Sequence, residues 1–348
     1  MNMIVFAMGL MNPLYTAFGG IMRLLYDLVG NYGVVIILFT ILVRLLMFPM
    51  GIKQQKNTFK QQALQGEIAE LKRIYPDDKQ KQSQVQMEIY KKHGASPLSG
   101  CLPAILQLIV IWPIFRIIQA PLRHIMHVPA EQLEEIGVLL HGLTDSAGEP
   151  LITQRAADSA ATMNIPLINA LNEHGFALAE TVNRGLMSLH DLIDVQFLGM
   201  NLGFTPTWRP ELLFGPDTWS SYVPLLSFPI LVVITTLIQM KITRLTMPNR
   251  KKRAEEKERD KKNPARAGQT VEDKSESMMK SMNIMMPIFM LWTTFSLPAA
   301  MGLYWIIGNI MMILQSFSIY FLFTRKVEKM SQDSNERSQE IEVEAAKA

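Results

Sequence analysis

Arg44 is the residue on which the chemistry of this sequence turns. It lies inside Gly33-Val-Val-Ile-Ile-Leu-Phe-Thr-Ile-Leu-Val-Arg44-Leu-Leu-Met-Phe-Pro49-Met-Gly-Ile52, a stretch whose only charge it is. As a helix this stretch covers ~30 Å, the hydrocarbon thickness of a bilayer. An arginine near a helix centre costs roughly 2.5–3.5 kcal/mol on insertion, and each large aliphatic residue or Phe returns about 0.3–0.6 kcal/mol. The Leu, Ile, Val and Phe residues outnumber the arginine far enough for the span to insert. Two readings of the guanidinium stand. It can snorkel toward water near Lys53, ~14 Å along the helix, or it can face a polar cavity in a bundle, as intramembrane charges commonly do.

Other groups able to hydrogen-bond at membrane depth are uncharged. They are Thr40 one turn before Arg44, Gln107, Thr235 and Gln239, Thr293 and Thr294, then Trp305, Asn309 and Ser316 on one helical face. Each alone suits interhelical contact. Together with a fixed positive charge they can line a wet groove that attracts acidic residues of a passing chain. Chemistry of other kinds is missing. None of the five spans delineated below holds Asp or Glu, and all six histidines lie outside them, which excludes a proton relay, an intramembrane aspartyl protease and a membrane metalloprotease. No Ser–His pair sits at membrane depth, and no Gly-x-x-x-x-Gly-Lys-Ser/Thr loop occurs. His124-x-x-His127 lacks an evident third ligand, and Cys101 is the single cysteine, so neither a metal nor an intrachain disulfide is expected. No enzymatic chemistry and no cofactor are expected.

The elements that must position these residues follow from the pattern. With 49% hydrophobic and 19% charged residues and 24 Met in 348 residues, the chain is too apolar for an ordinary soluble protein. Residues 1–32 contain an amphipathic helix suited to the interface, with Arg23 and Asp27 between Ile21, Leu24, Leu25 and Leu28. Five spans follow at 33–52, 98–120, 222–242, 282–297 and 301–323, the last two joined by a turn at Ser296-Leu-Pro-Ala-Ala300. Residues 53–97 read as a helical hairpin broken at Tyr75-Pro76-Asp77-Asp78, sparse in apolar residues and therefore mobile. Residues 121–221 form an acidic insertion with four Arg, no Lys and twelve Asp or Glu. Within it, Phe176, Ala179, Val182, Leu186, Leu189 and Ile193 recur at helical spacing, which predicts an amphipathic helix over 176–195 packed on the outer ends of the spans. A basic loop (243–281) and a charged tail (324–348) complete the chain. Lys and Arg concentrate in 53–97, 243–281 and the tail, which places these in the cytoplasm, the 121–221 insertion outside, the N-terminus outside and the C-terminus inside.

Several of these stretches, in order, resemble the YidC/Oxa/Alb insertase family. They are Val43-Arg44-Leu-Leu-Met-Phe-Pro49, Tyr75-Pro-Asp-Asp78, Tyr90-Lys-Lys-x-Gly94 with Pro97-x-x-Gly-Cys101-x-Pro103, and Phe295-Ser-Leu-Pro-Ala-Ala-x-Gly-Leu-Tyr-Trp305-x-x-x-Asn309. The resemblance covers roughly 12–120 and 222–325. It implies an all-α polytopic membrane protein with a five-transmembrane-helix insertase core, a hydrophilic groove open to cytoplasm and lipid, and a mobile cytoplasmic hairpin. The family's groove arginine matches Arg44, and its polar groove partners match Gln239 and Trp305. The large periplasmic β-domain of Gram-negative members is missing, so the chain is similar to the Gram-positive type in a bacterial plasma membrane. Its 121–221 insertion is longer than that type has.

The expected function is transfer of nascent membrane proteins into the lipid bilayer, without ATP or covalent chemistry. The candidate groove comprises Arg44, Thr40, Gln107, Thr235, Gln239, Trp305 and Asn309. Further candidate partners are a Sec translocon and the ribosome. The tail ends in the Glu-rich Ser338–Glu344, so the basic run Arg250 to Lys262 is the better ribosome contact. A small-solute transporter or channel using the same groove is the alternative; it would favour inverted repeats, and none is visible. A scaffold without client transfer is a third class.

Overall fold

The computed structural model of the chain describes residues 2–64, 74–75, 78–93, 102–216, 218–246 and 284–324. It is mainly helical. Residues 65–73 in the first arm of the expected hairpin, most of the basic loop 243–281 with the run Arg250 to Lys262, and residues 325–348 of the tail lie outside the described residues. The chain divides into two compact units, the first of Met1–Val43, Leu106–Ile234 and Phe289–Gly308, the second of Arg44–Ile105, Thr235–Ile288 and Asn309–Ala348.

The N-terminal helix α1 (Asn2–Val29) is longer than its amphipathic part, and Gly30 ends it with its N–H on the Tyr26 carbonyl at 2.7 Å. The next residue starts α2 (Tyr32–Ala63): the Asn31 side chain accepts from the Val34 N–H at 3.1 Å, an N-cap contact. The Asn31 amide also donates to the Gln196 carbonyl at 2.8 Å. Helix α2 runs through the predicted 33–52 span and beyond it. In the second unit, Asp78 caps α3 (Lys79–Lys92) by accepting from the Lys81 N–H. Leu64, Ile89 and Tyr90 form a small apolar contact between the two arms of the expected hairpin.

Helix α4 (Leu102–Gln119) lies within the predicted second span. Tyr32, Ile36 and Phe39 of α2 and Ile114, Ile117 and Ile118 of α4 are fully buried, and the Tyr32 hydroxyl donates to the Ile118 carbonyl at 3.3 Å. The insertion then builds a helical body of its own. It comprises α5 (Pro121–His124), α6 (Ala130–Gly142), α7 (Gln154–Asp158), α8 (Ile165–Glu173) and α9 (Gly175–Asn183), with α6 packed on α7, α8 and α9. Leu133, Ile136, Leu140, Leu167 and Ile168 are its buried centre.

The insertion is stitched to the spans of its own unit by hydrogen bonds. The Tyr32 N–H donates to the Asp194 carbonyl, and the Tyr26 hydroxyl accepts from the Asp194 N–H at 2.8 Å. A hairpin of β1 (Gln196–Phe197) and β2 (Met200–Asn201) sets the Phe197 ring against Gly33. Arg23 of α1 meets Asp27 at 3.0 Å, His190 at 3.2 Å, Met126 at 2.9 Å and Asp191 at 3.8 Å.

The predicted helix over 176–195 is corrected. It stops at Asn183, because Gly185 adopts φ +69° and the chain closes a Schellman turn, Leu186 N–H to Thr181 carbonyl and Gly185 N–H to Val182 carbonyl. A 3₁₀ turn at Leu189–Asp191 follows. The buried face is rotated from the expected stripe: Ala177, Thr181, Leu186 and Ile193 are buried, whereas Phe176 and Leu189 are exposed.

Two short helices, α10 (Pro210–Leu213) and α11 (Trp219–Tyr222), lead through a 3₁₀ turn into α12 (Ser227–Leu245). Then come α13 (Ile284–Thr294), a turn at residues 295–298, and α14 (Ala299–Ile319), which ends in a π turn, Tyr320–Thr324. Carbonyls of Phe204 and Leu202 accept the Ala299 and Ala300 N–H groups at 2.8 and 3.0 Å, satisfying donors that a helix start leaves open. Among the described residues three stretches are long and apolar enough to cross a bilayer, Tyr32–Gln54, Trp219–Leu245 and Ala299–Leu322. The expected second and fourth spans contribute shorter apolar helical stretches, Ile109–Gln119 within α4 and Ile284–Thr294 in α13.

Candidate functional site

Burial along α2 shows which face of the helix Arg44 shares. Tyr32, Val35, Ile36, Phe39, Thr40 and Val43 form the buried stripe of α2, while Leu38, Leu42, Leu45 and Leu46 are exposed. At 3.6 residues per turn Arg44 lies ~40° from Thr40 and ~160° from Leu42. It therefore continues the inner stripe, and its half-buried side chain agrees with that placement. Leu42 and Leu46 lie on the opposite, exposed side of the helix.

The polar residues behave differently from one another. Thr40 is buried, and its hydroxyl donates to the Ile36 carbonyl of its own helix at 2.6 Å. Gln239 is half-buried on α12 and donates to the Thr243 hydroxyl at 3.0 Å, again within its own helix. Trp305 is buried on α14, and its indole N–H has no hydrogen-bond partner among the described residues. Gln107 lies on α4 with its side chain outside the described residues.

Asn309, one of the expected groove residues, reaches a second helix. Its amide donates to the Thr235 hydroxyl at 3.1 Å and to the Thr236 hydroxyl at 2.9 Å, clamping α14 to α12 in the second unit. Thr236, buried at 4% exposure, was not among the expected groove residues; its place beside Thr235 is the only signal that could have found it. A second close approach was also not expected: a Cβ on Gly51 would meet the Gln315 amide, so α2 and α14 touch there through a residue without a side chain.

Among the described residues no three His, Cys, Asp or Glu side chains cluster as metal ligands. Of the His124-x-x-His127 pair, His127 is exposed, with φ +59°, while the His124 ring packs at a tilt against Tyr15, centroids 5.3 Å apart. Burial, helped by the charges of Arg123, Arg116 and His127, lowers the His124 pKa to about 4. It is a neutral packing imidazole at ordinary pH.

A mainly helical chain whose described residues include three helices long and apolar enough to cross a bilayer has the build of a polytopic helical membrane protein. The chain belongs to the family described as 60Kd inner membrane protein, whose sequence profile matches residues 24–326. The resemblance drawn from the motifs is thus borne out. A relative named Membrane protein insertase YidC from Caldanaerobacter subterraneus subsp. tengcongensis is 24% identical over 316 residues, 91% of this chain and 96% of that protein. Proteins of the same name from Bradyrhizobium diazoefficiens and Helicobacter pylori (strain ATCC 700392 / 26695) are 40% and 44% identical over 93 and 94 residues. Those shorter matches cover 27% of this chain but only 15% and 17% of the relatives' own length.

Proposed function

We propose that this chain is a membrane protein insertase, which receives nascent membrane proteins in a hydrophilic groove centred on Arg44 and passes their apolar segments into the bilayer. The observation that carries this reading is the placement of Arg44 on the inner stripe of an apolar helix, in a chain whose expected spans contain no carboxylate. A cation held there favours the acidic or polar flank of an entering segment, because their pairing offsets desolvation of both. The names of the relatives support the same activity. In this reading five spans form the core, with the N-terminus and 121–221 outside and the C-terminus inside. The Thr235–Asn309 contact holds the third and fifth spans while a client slides past them to lipid. Transfer needs neither cofactor nor covalent step. A Sec translocon and, through Arg250 to Lys262, the ribosome are the further partners of this reading.

The test is complementation of an insertase-depleted strain, scored by insertion of a small client with an acidic outer flank. Arg44→Lys should retain much of the activity and Arg44→Ala should lose it, at equal membrane levels of the variants. Equal insertion by wild type and Arg44→Ala would end the groove-charge mechanism.

A further inference from the structure

The first unit contains a recess of about 500 Å³ that the groove reading does not use. Its walls are the segment 203–209, the end of α11 at Tyr222, and the end of α13 at Trp292 with Phe295 and Ser296. Phe204 stacks on Tyr222 at 5.3 Å and 9°, and Trp208 packs against Phe295 at 5.7 Å. These ring contacts and the Phe204 carbonyl's bond to the Ala299 N–H hold the recess at the ends of the apolar helices. It is therefore a built feature, and its volume suits part of an amphiphile rather than a single ion.

We propose that this recess is a phospholipid site at the bilayer interface, with the lipid phosphate on Arg209 and the glycerol and upper acyl chains between Trp208 and Trp292. Three observations select lipid. Trp208, Phe214, Trp219 and Trp292 are each more than half exposed around one end of the spans, and Trp is the residue type that anchors helices at headgroup level. Below the recess in the same unit, Ile230, Leu231, Ile234 and Phe289 are exposed, so an acyl chain leaving it continues along an apolar wall. Arg209 brings the positive charge and Thr205, Thr207 and Ser296 bring polar backbone or hydroxyl groups, while Glu211 is not part of the lining. Phosphate is the headgroup feature that such a rim recognises. The site rests on the chain's being a membrane protein and not on the insertase reading, so either can fail without the other.

The experiment uses the purified full chain in vesicles of equal parts phosphatidylcholine and phosphatidylglycerol. The emission difference between wild type and Trp208→Phe isolates Trp208. A nitroxide on the phosphatidylcholine headgroup should quench that emission and aqueous iodide should not. In detergent, native mass spectrometry with added phosphatidylglycerol should show a retained lipid that Arg209→Gln loses. Iodide quenching would mean that the recess faces water, and protection from both quenchers would mean that protein covers it; either overturns the proposal. Nitroxide quenching with lipid retention unchanged in Arg209→Gln would leave only an aromatic anchor and overturn the phosphate assignment.

Discussion

Replacing Asn309 by Leu removes the contact between α14 and α12 without removing volume. The amide donates two hydrogen bonds, at 3.1 Å to Thr235 and 2.9 Å to Thr236. In a bilayer such interhelical bonds average ~0.6 kcal/mol and reach ~1.7, because the separated helices find other partners. Two of them make the clamp worth about 1–2 kcal/mol, since the half-exposed amide keeps some access to other groups. Both threonine hydroxyls can turn back to carbonyls of their own helix, so the leucine variant leaves no costly orphan. The assay is reversible unfolding of the purified protein in mixed micelles, with a cycle built from Asn309→Leu and the Thr235→Val/Thr236→Val pair. The combined variant should lose no more stability than Asn309→Leu alone, giving a coupling of about 1 kcal/mol. Additive losses with coupling below ~0.3 kcal/mol would refute the clamp.

In intact cells lacking Cys101 (Cys101→Ser), a water-soluble maleimide should label a cysteine at Leu189 freely and one at Leu186 poorly, since the first side chain is 66% exposed and the second 8%. Equal labelling would refute the Schellman break at Gly185. Gly33→Ala should destabilise the first unit by roughly 1–3 kcal/mol, as overpacking does, because its Cβ would press on the Phe197 ring; Gly51→Ala should cost less, because it meets only the movable end of Gln315. Denaturation midpoints of the two variants decide the order. For His124 the folded pKa of about 4 lies below the ordinary histidine value of 6.5, so between these values the unfolded chain binds the proton and the folded chain does not. The stability it contributes is therefore present above pH ~6.5 and lost as pH falls toward ~4. Thermal melts across this window should flatten in His124→Phe relative to wild type, and an unchanged slope would count against the buried imidazole.

Much of this protein was legible in its order of residues. Spans announce themselves by length and apolarity alone, because a bilayer demands a fixed helical length with few charges. That is why Tyr32–Gln54, Trp219–Leu245 and Ala299–Leu322 fall where the hydropathy pattern put them. The motifs around Arg44 and Trp305 likewise sufficed for the family, since they are local strings. The face that Arg44 occupies needed the structure: periodicity lists neighbours around a helix, but only packing says which of them are covered. Thr40 and Gln239 are spent on their own helices, while Asn309 reaches across to two threonines 74 and 73 residues away. The 121–221 insertion was the least legible part. Its apolar spacing extends smoothly past Asn183, yet a single glycine turns the chain, and burial then follows contacts with elements distant in sequence. Local pattern determined what could enter the membrane; long-range packing decided which side chains meet there, because hydrogen bonds and close approaches depend on separations that periodicity does not encode.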